Sequence, residues 1–72
     1  MYKLCIVKRS GEVKFSAECL LRSPLKMEAL KRLRKTDKAV IFEEDTPICI
    51  LELNEKGVPT DVTDKYEVSE LV

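Results

Sequence analysis

Histidine is absent from the 72-residue chain, which removes the only side chain that titrates near neutral pH without help from its surroundings. Acid–base chemistry would fall to a shifted lysine, cysteine or carboxylate. Cys5, Cys19 and Cys49 have no imidazole to activate them. Each sits inside an apolar run, where a thiol behaves as a small hydrophobe rather than a nucleophile. They also lack metal-site spacing: no CxxC pair exists, and no histidine completes a zinc set. Three cysteines cannot close as a disulfide framework, which points to a reducing compartment.

Gly11 and Gly57 are the only glycines, so neither a dinucleotide-binding GxGxxG nor a Walker loop can be written. Glu43-Glu44-Asp45 and the pair Asp61/Asp64 have no EF-hand spacing and read as a solvated turn and a helix cap. From this inventory the expectation is a chain with no catalytic residues, no metal and no cofactor, and no small-molecule substrate is indicated.

The remaining chemistry is charge. The net charge is zero, yet residues 1–38 hold eleven Lys/Arg against four Asp/Glu, and residues 39–72 hold two against nine. Such asymmetry suggests a charged partner. The candidate contact residues are Lys8, Arg9, Lys31, Arg32, Arg34 and Lys35, a set able to neutralise several phosphates. Against a nucleic-acid reading, no aromatic is interleaved for base stacking, and a lysine-rich face is ordinary for a surface helix.

The elements that must position these residues follow from periodicity. Tyr2 to Lys8 alternates as a strand, Arg9-Ser10-Gly11-Glu12 is a turn, and Val13, Phe15, Ala17 and Cys19 alternate with polar residues, so the first twenty residues predict a hairpin. Ser23-Pro24 reads as a helix start, with serine as cap and proline at the first position. The helix is expected over 24–36, with Leu25, Ala29, Leu30 and Leu33 inward, Met27 at the margin, and Lys31, Arg32 and Lys35 outward beside Glu28. Ala39–Phe42 and Ile48–Leu53 predict a second hairpin about an acidic turn. Residues 60–72 are ambiguous between a closing strand and a short helix.

Residues 1–72 are therefore read as one small α+β domain, a ββαββ(β) sheet of two hairpins with one amphipathic helix on one face. One mismatch remains. Strands that are apolar on both faces need cover on the side away from the helix. The cover is expected from the tail with Tyr66, Val68, Leu71 and Val72, from curling into a small barrel, or from a second copy. The leading expectation is a non-catalytic protein-binding or regulatory domain, self-associating as a homodimer. The alternative is an accessory nucleic-acid binder whose helix 24–36 contacts phosphates. With no signal-peptide core and no apolar run of membrane-spanning length, a soluble, cytoplasmic protein is expected, without a membrane partner.

Overall fold

A computed structural model describes residues 1–65. Five strands form one open antiparallel sheet: β1 (Tyr2–Val7), β2 (Val13–Cys19), β3 (Lys38–Glu43), β4 (Thr46–Leu53) and β5 (Pro59–Asp61), in the order β2-β1-β3-β4-β5. A single helix, α1 (Arg22–Arg32), links β2 to β3, and a 3₁₀ turn (Thr63–Lys65) follows β5. The expected α+β fold with one helix is the observed one.

The two hairpins form where the turn residues allow. In the first, Lys8 N–H donates to Glu12 C=O at 2.8 Å and Gly11 N–H to Lys8 C=O at 2.9 Å. Gly11 takes φ 95° there, a conformation costly for a residue with a Cβ. The register then slips: Ile6 opposes Phe15 while Val7 opposes Val13, so Lys14 is the extra residue of a β-bulge. In the second hairpin Glu43 pairs with Thr46 across Glu44-Asp45, with Glu44 at φ 54°.

Period-two alternation sends Leu4 and Ile6 of β1, Ala39 and Ile41 of β3, and Cys49 and Leu51 of β4 to one face. There they pack with Leu25 and Ala29 of α1 and with Leu33. Ala29 and Ala39 are both fully buried, and their small side chains let the helix approach the sheet closely.

The helix differs from expectation at both ends. It starts at Arg22, its N-cap is Leu21, and no side chain caps it, so Ser23 and Pro24 lie inside the first turn. Its last residue is Arg32 rather than Thr36, because Leu33 leaves helical backbone at φ −66°, ψ 130° and drops its side chain into the core. Leu33 N–H still closes the helix on Ala29 C=O at 2.9 Å. Arg34 and Lys35 are thus loop residues. Leu30, about 100° round the helix from Ala29, points out and is exposed rather than core. With no cap, no acidic residue in its first turn, and Arg22 there instead, the N-terminal end of the helix contributes little and the helix relies on packing and on Lys31 and Arg32 in its last turn.

The sheet face away from α1 carries Cys5, Val7, Val40, Phe42 and Ile50. Ile50 is 0% exposed, Val40 is buried, and the other three are half-buried. Barrel closure is not the answer to the second face: the sheet is open, with β2 and β5 as separate edges. The cover expected from Tyr66, Val68, Leu71 and Val72 lies outside the described residues. The extra strand forms earlier than the 60–72 segment suggested, because Pro59–Asp61 pairs with Leu51–Leu53, and an edge position tolerates Pro59.

Candidate interaction surfaces

The six basic residues singled out from sequence are divided among three places. Lys8 and Arg9 sit in the β1–β2 turn, and antiparallel pairing of β1 with β3 sets Val7 beside Lys38. The loop from α1 delivers Lys35 to the same spot. Together Lys8, Arg9, Lys35 and Lys38 line a cleft of about 390 Å³, with Asp37 and Glu52 also in its wall. Arg32 is diverted: its guanidinium stacks 4.0 Å above the Phe15 ring and its Nε lies 3.4 Å from Glu28 Oε1. Arg34 beside it reaches the carbonyls of Lys31 and Leu33 only at 3.5 and 3.4 Å, both long for hydrogen bonds. Lys31 stands apart on the outer face of α1.

Electrostatics at the cleft depend on a residue from outside it. The Asp37 side chain is 4% exposed and its carboxylate accepts from Lys14 Nζ at 2.9 Å, the Lys14 side chain being 41% exposed. The bulge in β2 brings Lys14 there. The most buried acid of the cleft wall is therefore matched by a cation that is not part of the wall. Lys8 meets Glu12 only at 3.8 Å. Glu43, Glu44 and Asp45 lie at the opposite end of β3, so the two signs of charge separate in part toward the two ends of the sheet. The separation is incomplete, since Lys26 acts on Asp61 near the start of α1.

A second surface was not expected. Met27 is 71% and Leu30 45% exposed, and with Pro24, Glu28 and Lys31 they line a shallow depression on the outer face of α1. Leu20 and Leu21, which lead into the helix, are also exposed. Assigning Leu30 to the core hid this patch. The signal available in the sequence was Leu20-Leu21, two leucines next to a cap position that no strand or helix face accommodates.

A third place gathers polar groups at the start of α1. Arg22, Ser23 and Lys26 face Cys49 and Asp61 across a pocket of about 260 Å³. The Cys49 thiol lies 3.9 Å from Asp61 Oδ2. Burial pushes this thiol up, and the neighbouring Asp61 charge adds to the effect, so Cys49 is held in the unreactive protonated form. Cys5 and Cys19 are free and half-buried.

Asp61 itself is held below the usual carboxylate range, first by the Thr63 hydroxyl and then by Thr63 N–H, which donates at 2.9 Å, with Lys26 assisting. A depressed carboxylate stabilises the fold above its unfolded pKa and loses that contribution as pH falls through the folded value. The urea midpoint should therefore decline below about pH 4, and Asp61→Asn should flatten part of that decline. An unchanged acid limb in Asp61→Asn would dissociate the carboxylate from the stability of this corner.

Among the described residues no three His, Cys, Asp or Glu side chains are grouped to hold a metal ion, and no helix is long and apolar enough to cross a membrane. No protein-family model, curated protein or solved structure matches the chain.

Proposed function

We propose that this chain is a non-catalytic protein-binding module that self-associates through the outer face of α1. The observation that carries the reading is the exposure of Met27 and Leu30 side by side on the only helix of the described residues, with Leu20 and Leu21 at its entrance. A soluble domain of this size gains by covering large apolar side chains that its own core does not use.

A second copy suits the patch because its charges are reciprocal. Glu28 and Lys31 flank Met27 and Leu30 on the same outward surface. When two such helices cross antiparallel about a two-fold axis, Lys31 of each copy approaches Glu28 of the other while the methionines and leucines meet at the centre. Glu28 is already beside Arg32, which orients its carboxylate toward the flank of the helix. The inventory of titratable groups supports the non-catalytic part: the chain lacks histidine, and the one thiol with a shifted pKa is shifted toward inertness.

Light scattering coupled to gel filtration, run from micromolar to high-micromolar concentration, tests the proposal. The wild-type chain is expected to move toward twice its 8.3 kDa mass, and Met27→Asp or Leu30→Asp should return it to monomer with an unchanged circular dichroism spectrum, since both sites face solvent. A wild type that stays monomeric at the highest concentration, or a dimer indifferent to both substitutions, would overturn it.

A further inference from the structure

We infer that the cleft formed by the β1–β2 turn and the α1–β3 loop is a phosphate-binding site for the backbone of a nucleic acid. It goes beyond the helix-face dimer and does not depend on it, because the two surfaces share no residue.

Two separate loops bring cations to one concave place. Lys8 and Arg9 come from the hairpin turn, Lys35 from the loop after the helix, and Lys38 from the first position of β3. Neither Arg9 nor Lys35 has an ion-pair partner among the described residues. Of the two carboxylates in the wall, that of Asp37 is engaged by Lys14 from behind, and Glu52 stands opposite Lys38 in the β3–β4 pairing. The cleft is open, with Lys and Arg side chains spread round its rim, an arrangement that suits repeated phosphates along a strand.

The class of ligand follows from what the cleft lacks. Val7 and Leu53 are its only large apolar residues, which is little for the hydrophobic side chains an acidic protein segment would bring. Among the described residues no aromatic ring lines the cleft for base stacking, and Arg32 covers Phe15. Contact is therefore with the backbone and indifferent to sequence. The helix has a smaller part than the sequence suggested. Lys31 faces away, Arg32 is committed to Phe15 and Glu28, and the work passes to the ends of the strands.

The test is fluorescence anisotropy of a short fluorescein-labelled DNA duplex, titrated with the full chain from low to physiological salt. Binding is expected at low salt and should weaken steeply as salt rises. Arg9→Ala with Lys35→Ala should cost about tenfold in affinity at low salt and make the log–log salt dependence shallower by about two. Lys3→Ala, at the other end of β1 where Lys3 pairs with Phe42, should change neither. Both cleft positions are exposed, so a circular dichroism spectrum like that of the wild type is expected of the double variant.

Three results would each overturn the inference: no binding at low salt, an equal loss from Lys3→Ala, which would make the attraction diffuse, or equally tight binding of a labelled polyglutamate peptide of matched charge. If the duplex binds as expected while Met27→Asp abolishes only dimerisation, the cleft stands by itself. If the dimer forms but no duplex binds, the cleft reading fails and the helix-face reading does not.

Discussion

Ile41→Ala is expected to lower the unfolding free energy by about 3–4 kcal/mol, read as a fall in the urea midpoint and a drop in Tm of roughly 15–20 °C. Ile41 is 0% exposed on the central strand β3. It stands between Leu4 of β1 and Cys49 of β4 and belongs to the cluster that includes Leu25 and Ala29 of the helix. Removing three carbons there takes away their transfer free energy and leaves a void that the neighbouring strands cannot close without breaking their ladders. A domain of this length has roughly 4–10 kcal/mol in total, so a third or more of its stability rests on this side chain. Ile41→Val, which keeps most of the volume, should cost about 1 kcal/mol. A loss below about 1 kcal/mol for the alanine variant would mean that the site is not enclosed as described.

Lys14→Met should be the most damaging substitution outside the apolar core, at about 2–3 kcal/mol. It leaves the enclosed carboxylate of Asp37 without its cation, and a buried charge stripped of its partner costs more than the pair itself contributes. The figure stays below that for a fully buried pair because Lys14 is itself 41% exposed and water screens part of the attraction. Asp37→Asn alone should cost less, since the ammonium left behind can turn into solvent. The double variant should recover most of what Lys14→Met loses. A double-mutant cycle in urea measures the coupling directly; additive effects would show that the 2.9 Å contact holds nothing together. Lys14→Met also leaves Asp37 uncompensated in the wall of the cleft, so oligonucleotide binding should weaken although Lys14 is not among the lining residues.

The four long strands were legible because their signal is local: alternation at Tyr2–Val7 and Val13–Cys19, apolar runs at 39–42 and 48–53, and turn residues between them. The helix was legible in place but not in extent. Nothing near Leu33 marks a stop, and the helix ends there because the side chain is needed in the core and the chain must turn to set Lys38 beside Val7. That tertiary demand turned Arg34 and Lys35 into loop residues. Leu30 was misplaced for a related reason: an eleven-residue helix on a narrow sheet buries the stripe of Leu25 and Ala29 alone. β5 depended on pairing with Leu51–Leu53, which no local pattern announces.

For the candidate cleft, sequence supplied the residue types, and Lys8, Arg9 and Lys35 belong to it. It could not show that Lys38 joins them through the pairing of β1 with β3, nor that Arg32 would lie over Phe15. Both facts come from contacts between residues far apart in the chain.

The two margins of the sheet differ in what they offer a further strand. β2 is interrupted by the bulge at Lys14, and β5 is three residues long and begins with a proline that has no N–H to donate. The β5 margin therefore offers little to a further strand, whereas β2 beyond the bulge keeps residues 15–19 in regular register with β1 at the sheet edge. In the proposed self-association through the outer face of α1, a two-fold contact is closed and saturates at two copies, so growth beyond a dimer would have to run through the β2 edge.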